Sequence, residues 1–209
     1  MDKPITQPPQ TLKLIGETEA GKRQELKQYF NQTWALYESL YDLIQEDSAY
    51  YLKAEPLRHP LIFYFGHTAT FYINKLKLGK FLDERVNDNF ESMFAIGVDE
   101  MSWDDLNEKH YPWPDVAEVR SYRQQVNAVI NRVIDEMPLA LPITQNSPAW
   151  IILMGIEHER IHLETSSVII RQLPLEYVAP NHLWPACQDT APAETNSLLA
   201  VKGQKVTLG

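Results

Sequence analysis

The chain has 209 residues, of which 44% are hydrophobic, and its formal net charge is −9. This length allows one domain of ordinary size with an appended segment, and the hydrophobic fraction is sufficient for a packed core. The negative charge argues against nucleic acid or an anionic membrane as a partner, and the single cysteine, Cys187, excludes an intrachain disulfide and a cysteine-based zinc finger.

Residues 1–16 contain three prolines among mixed polar residues and are predicted to form a flexible arm. They lack the apolar core of a signal peptide, and no apolar run in the chain is long enough to cross a bilayer, so we expect a cytoplasmic protein. A first helix is predicted over about residues 17–45, because bulky apolar side chains recur there at steps of three and four.

A second helix is predicted to begin after Pro60 and to end near Gly79, with His67 in its middle. The connection that follows shows no sustained period and is long for a helical bundle, and long irregular connections tend to be functional. Within it, Asp99 and Glu100 lie between apolar residues. A carboxylate there could turn inward to bind the ammonium group of an amino-acid substrate or to orient a metal-ligating histidine.

A third helix is predicted to open at Asp115, with Glu118 completing a capping box, and to stop before Pro138. Together with a fourth helix, described next, these elements predict an all-α four-helix bundle over residues 17–174, with a long connection between helices 2 and 3. Residues 175–209 have weak periodicity and are predicted to form an irregular tail.

The fourth helix carries the most informative motif. Ser147 is a favourable N-cap, Pro148 suits the first helical position and Pro174 forbids continuation. Midway along the helix, His158 and His162 are four residues apart, so both imidazoles project from one face and can reach one metal ion. Alternatively, both are histidines of a partly buried face that bond to carboxylates or water.

The third ligand is open at this point. His158 begins an HExxH motif, in which a glutamate, here Glu159, serves zinc proteases as general base. A protease would take its third ligand from Glu176 or His182, in the irregular sequence beyond the helix. The other candidate is His67, which would face the pair if the bundle forms. Three nitrogen ligands do not select iron over zinc or nickel.

Three arginines are candidates for binding a substrate carboxylate: Arg58, Arg160 and Arg171. A guanidinium group matches a carboxylate with two parallel hydrogen bonds. Each arginine could equally form a salt bridge with a glutamate of the bundle, and the sequence does not decide between the two roles.

Three separate blocks carry a resemblance to a known family: RHPLIFYFGHT at 58–68, GVDEMSWDDLN at 97–107 and MGIEHERIHLETSSVIIRQLP at 154–174. Together they closely resemble the N-terminal DinB-like domain of the ovothiol-type sulfoxide synthases, also called 5-histidylcysteine sulfoxide synthases. The ergothioneine-type sulfoxide synthases are the sister family. The resemblance runs from about Tyr29 to Pro174.

The resemblance implies a mononuclear non-haem iron enzyme that uses O₂ to join cysteine sulfur to the imidazole ring of histidine, leaving a sulfoxide. Its Fe(II) would be held by His67, His158 and His162, and Glu164 would be the acid that trails the second of the paired histidines. The ergothioneine branch commonly has glutamine where this chain has Ile161, so this position favours the ovothiol branch.

In the complete synthase, the active site lies between this bundle and a second domain that resembles the formylglycine-generating enzyme. The C-terminal VKGQKVTLG lies where that domain would begin. The resemblance therefore predicts an excised domain or truncated product with little or no activity alone. Two further interpretations stay open: a stand-alone DinB-like thiol transferase or hydrolase using zinc or nickel, and a non-enzymatic helical domain that binds a partner protein.

Overall fold

The computed structural model describes residues 10–95, 112–185, 191–193 and 195–205. These ranges contain five α-helices and no β-strand, which confirms the predicted all-α fold. The helices are α1 (Glu19–Tyr41), α2 (Leu61–Leu78), α3 (Asp88–Met93), α4 (Val116–Glu136) and α5 (Pro148–Ile170). Among them, none combines the length and the apolar character that a membrane span requires.

The N-termini of α4 and α5 are those that local sequence predicts. Asp115 caps α4, and its backbone N–H donates to Glu118 Oε2 at 3.1 Å as part of a capping box. Ser147 caps α5 by accepting a hydrogen bond from the backbone N–H of Trp150 at 3.3 Å, and Pro148 occupies the first helical turn. These caps fix where each helix starts without help from tertiary packing.

Two long helices are shorter than predicted. α5 ends at Ile170, because Pro174 has no N–H to donate to the carbonyl of that residue and its ring would clash with the preceding turn. α1 begins only after Thr18, whose side chain accepts a hydrogen bond from the backbone N–H of Gly21 at 3.1 Å, and it ends at Tyr41.

The connection between α2 and α4 contains a helix that the sequence pattern does not predict. α3 has six residues, too few to show a helical period. Asn87 caps it by accepting a hydrogen bond from the backbone N–H of Phe90 at 3.1 Å. The buried carboxylate of Glu91 binds the loop that leads into α3. Most of the remaining connection, residues 96–111, lies outside the described residues.

α2 is the central helix of the bundle. It packs against α5, α4 and α3, whereas α1 packs against α5 and α4. Residues 61–70 form an unbroken buried run, so this part of α2 is covered on all sides. Because His67 lies within that run, its imidazole is placed inside the bundle rather than on the surface.

The irregular segments contact the ends of the bundle. On the N-terminal side, the backbone N–H of Ile143 donates to the carbonyl of Leu14 at 2.7 Å. On the C-terminal side, Ile44 and Val178 form an isolated antiparallel β-bridge, and the backbone N–H of Ala179 donates to the carbonyl of Leu43 at 2.8 Å. The five described helices all lie between residues 17 and 174.

Candidate metal centre

Three histidines from two helices converge in the interior of the bundle. His158 Nε2 lies 3.2 Å from His67 Nε2 and 3.2 Å from His162 Nε2. In the described part of the chain, these three side chains form a group whose ligand atoms lie within 4.8 Å of one another and could hold a metal ion. The helical spacing aligns the α5 pair, and the packing of α2 on α5 supplies the third ring.

The separations of His158 Nε2 from the other two nitrogens fit coordination of a single ion. Imidazole nitrogens bind first-row transition metals at about 2.0–2.1 Å, so neighbouring ligands at 90–109° are separated by about 2.9–3.4 Å. The two measured separations of 3.2 Å fall in this range. Three neutral nitrogens on one side of an ion also leave its other positions open for water or substrate.

The tautomer of His67 is fixed by its surroundings. Its Nδ1 lies 2.6 Å from the carbonyl oxygen of Phe94, which can only accept, so Nδ1 carries the proton and donates. In the neutral ring, Nε2 then carries the lone pair, and this atom lies towards His158 and His162. The ring stacks on Phe63, with centroids 5.2 Å apart and planes at 13°, which limits its rotation. His67 is thus oriented with Nε2 towards the two histidines of α5.

The two histidines of α5 are positioned by aromatic neighbours. His158 stacks on Phe71, with ring centroids 3.8 Å apart and planes at 11°. The ring of His162 lies 5.6 Å from that of Tyr64. The Nδ1 atoms of both histidines are buried and have no hydrogen-bond partner among the described residues. A buried polar atom without a partner is costly, and such atoms concentrate at functional sites.

Both α5 histidines are held in the neutral form. Burial, followed by the charges of His67 and His162, lowers the pKa of His158 to about 2. Burial, followed by the charges of His67 and Arg58, lowers the pKa of His162 to about 3. Metal ligation requires the neutral imidazole, so no proton competes with an ion for these nitrogens near neutral pH.

Hydrogen bonding alone does not satisfy both contacts of the His158 Nε2 atom. His158 Nε2 contacts two other Nε2 atoms, and the one on His67 carries a lone pair. One proton at His158 Nε2 can form a hydrogen bond in only one of these two contacts. In the other contact, two nitrogen atoms face each other without a proton between them. A cation at the centre would accept all three lone pairs at once. The residues present therefore fit a bound metal ion.

The glutamate of the HExxH motif does not serve this site. Glu159 is fully buried, and its carboxylate accepts hydrogen bonds from Tyr72 Oη at 3.1 Å and Arg123 Nη2 at 3.2 Å. Burial raises the pKa of Glu159 to about 7, although Arg123 opposes that shift. A carboxylate bound in the core in this way is not placed as the general base of a zinc protease.

Arg123 is the centre of a second buried polar cluster, which sequence reasoning missed. Its guanidinium donates to Glu38 Oε1 at 2.5 Å and to the Phe65 carbonyl and Thr68 Oγ1 at 2.8 Å each. It also lies 4.3 Å from the ring centroid of Trp34, a cation–π contact. The sequence signal that could have revealed this cluster is the charged residue at position 123, which lies among the apolar residues of the buried stripe of α4.

The other candidates for direct support of the triad are Glu164, Arg58, Asp99 and Glu100. Glu164 is exposed on α5. Arg58 is also exposed, but its charge contributes to the low pKa of His162, so it lies at the edge of the site. Asp99 and Glu100 lie outside the described residues.

The remaining candidates do not join the triad. Glu176 and His182, the third ligands that a protease would need, are exposed and are not part of the metal-binding group. Arg160 lies 3.9 Å from Glu157 in a salt bridge along α5, and Arg171 is exposed. Of the proposed third ligands, only His67 meets the pair.

A cavity of about 700 Å³ lies between α2 and α3 and reaches the triad. His67 and Phe71 line it at the metal-binding end, and Lys75 and Arg85 line it further along. Sites for small molecules have volumes of about 300–1,000 Å³, so this space is large enough for an amino-acid substrate.

Comparison with known proteins agrees with this geometry. Residues 29–166 match the DinB superfamily, and this match covers more than half of the chain and includes all three histidines. No curated protein matches the chain. The chain belongs to the DinB superfamily.

Proposed function

We propose that His67, His158 and His162 bind Fe(II) and that the chain is the metal-binding part of an O₂-dependent sulfoxide synthase. The observation that carries this proposal is the grouping of three histidines whose ligand atoms lie within 4.8 Å of one another. The sequence blocks at 58–68 and 154–174, which resemble the ovothiol-type synthases, support the finer assignment. DinB-like proteins are often metal-dependent enzymes, which supports the coarser one.

The proposed reaction joins cysteine to histidine. Cysteine loses the hydrogen of its thiol, the imidazole loses a ring hydrogen, and a C–S bond forms. One atom of O₂ stays on sulfur as the sulfoxide and the other leaves as water. Bound iron would supply the redox chemistry and the open positions that the reaction needs.

The chain's own contribution is to orient the ligands and to limit access of water. The Phe94 carbonyl fixes the proton of His67 on Nδ1, so Nε2 stays available as a ligand. Phe63 and Phe71 cover the faces of two of the imidazoles. Neutral ligands at physiological pH also avoid competition between protons and the metal.

Substrate binding is proposed along the edge of this site. Arg58 lies near His162 and could bind an amino-acid carboxylate through paired hydrogen bonds. Asp99 or Glu100 would bind the ammonium group. Further contacts would come from a second domain that resembles the formylglycine-generating enzyme, as in the synthases that the sequence resembles.

The proposal is tested by loading the purified chain with Fe(II) under anaerobic conditions and comparing it with His67→Ala. We expect one iron per chain in the parent protein and little in the variant, by elemental analysis. Cysteine, histidine and O₂ should then give the coupled sulfoxide by mass spectrometry, in the chain alone or joined to the second domain. Equal iron content in both proteins contradicts the site. Iron binding without product in either form contradicts the synthase assignment.

A second candidate is a DinB-like thiol transferase or hydrolase that uses zinc or nickel. The observation that favours it is the donor set, since three neutral imidazole nitrogens suit zinc and nickel as well as iron. This candidate would be supported if the chain transferred or hydrolysed a thiol substrate with zinc or nickel and took up no oxygen with iron. A non-enzymatic role instead predicts unchanged partner binding in His67→Ala.

A further inference from the structure

The orientation of His67 depends on a carbonyl group from outside its own helix. Phe94, whose oxygen accepts the Nδ1 proton of His67 at 2.6 Å, is the C-cap of α3. Its own backbone N–H donates to the carbonyl of Phe90 at 2.9 Å within α3. The position of the acceptor is therefore the position of α3, and α3 is too short to be stable without tertiary contacts.

Glu91 anchors α3 to the loop that precedes it. Its side chain is fully buried and accepts hydrogen bonds from Arg85 Nη1 at 2.8 Å and from the backbone N–H groups of Val86 and Asn87 at 2.8 and 3.0 Å. Replacing this carboxylate by the amide of glutamine keeps one acceptor oxygen but turns the other acceptor into an NH₂ donor, so at least one of the three donors loses its partner. Glu91 thus fixes both the start of α3 and the loop that precedes it.

Asn74 connects this anchor directly to α2. Its Nδ2 donates to the backbone carbonyl of Glu91 at 2.9 Å, and its Oδ1 accepts a hydrogen bond from Arg85 at 2.8 Å. Asn74 lies seven residues after His67 on α2, which corresponds to two helical turns. α3 is therefore tied to the helix that carries His67.

A glycine next to the ligand allows α3 to approach. A Cβ added at Gly66 would lie only 2.4 Å from the ring of Phe94, which is fully buried. Any other residue at this position would force that ring to shift, and the ring belongs to the residue whose carbonyl accepts the His67 proton. Gly66 and Glu91 therefore act on the same acceptor from opposite ends of α3.

We propose that Glu91 and Gly66 are positioning residues for His67, acting through α3 and the Phe94 carbonyl. They keep the proton on Nδ1 and the Nε2 lone pair directed at His158 and His162. The expected consequence of this inference, tighter metal binding, rests on the proposed metal site. The contacts that carry it are independent of the metal, and they can be measured in the metal-free protein.

The test compares Glu91→Gln and Gly66→Ala with a matched control, Gly155→Ala. A Cβ at Gly155 would lie 2.3 Å from the ring of Tyr72, so it crowds an aromatic ring to the same degree without touching Phe94. In the metal-free full chain, NMR of ¹⁵N-histidine should show a Nδ1–H signal of His67 protected from exchange. We expect this signal to be lost or shifted in the two test variants and retained in the control.

The second readout is the affinity for Co(II), measured by its visible spectrum. Loss of a residue that orients a ligand weakens metal binding by roughly 10–100-fold, so we expect that decrease in Glu91→Gln and Gly66→Ala and a smaller one in Gly155→Ala. Wild-type NMR signals and affinity in Glu91→Gln overturn the inference, as does an equal loss of affinity in Gly155→Ala. If the parent binds no cobalt, the proposed function fails, and the NMR comparison still decides the positioning role.

Discussion

Two polar clusters lie on consecutive residues of α5 and differ in how their hydrogen bonds are satisfied. At Glu159, the buried carboxylate and the guanidinium of Arg123 form hydrogen bonds that link α5 to side chains or backbone groups of α1, α2 and α4. At His158, the ring nitrogens face other ring nitrogens, and Nδ1 has no partner in the described part of the chain. The first arrangement is that of a cluster that stabilises a fold, and the second fits a site that could hold a metal ion.

The largest effect should come from breaking the satisfied cluster. Arg123→Met leaves Glu159, Glu38 and two acceptors on α2 without their donor, so we expect a loss of about 3–5 kcal/mol in the free energy of unfolding, measured in urea. The control is Lys27→Met, which removes a 2.7 Å ion pair with Asp135 that is half exposed and should cost less than about 1 kcal/mol. Equal losses in the two variants would contradict a structural role for Arg123.

The unsatisfied cluster should behave in the opposite way. His158→Phe keeps a ring against Phe71 but removes a buried nitrogen without a partner, so the metal-free protein should lose no stability and could gain about 1 kcal/mol. The variant should also lose metal-dependent stabilisation, which is about 2.7 kcal/mol for the parent when the metal concentration is 100 times Kd. Thermal unfolding with and without zinc measures both effects. If metal-free His158→Phe were as unstable as Arg123→Met, the histidines would be residues that stabilise the fold.

The smallest effect concerns how stability depends on pH. Burial raises the pKa of Glu159 from 4.5 to about 7, so between these values the folded chain keeps a proton that the unfolded chain releases. Its contribution to stability is therefore complete below pH 4.5 and is lost as the pH rises through 7. Glu159→Gln should remove this decline and leave metal affinity within about threefold, because the side chain does not touch the triad.

Urea unfolding of the parent and Glu159→Gln at pH 5 and pH 8 isolates this contribution, since other titrating groups cancel in the difference. The same decline in both proteins would show that Glu159 is ionised in the fold throughout this range. A large loss of metal affinity would bring the carboxylate back into consideration as part of the metal centre.

Local sequence determined the features that depend on neighbouring residues. Ser147 and Pro148 set the start of α5, the capping box at Asp115 set the start of α4, and helical spacing put His158 and His162 on one face. Each of these relations spans four residues or fewer, so backbone geometry alone enforces it. The expected packing of the second helix against the fourth pointed to His67 as the third ligand, and the resemblance of separate sequence blocks to a family implied the same residue.

Only the tertiary structure decided the relations between helices. It placed His67 Nε2 at 3.2 Å from His158 Nε2, and it turned Glu159 into the core towards Arg123 although its motif is that of a catalytic base. It also formed α3, whose six residues have no detectable period and depend on the buried Glu91. Distances between helices result from the packing of whole side-chain surfaces, and no short stretch of sequence contains that information.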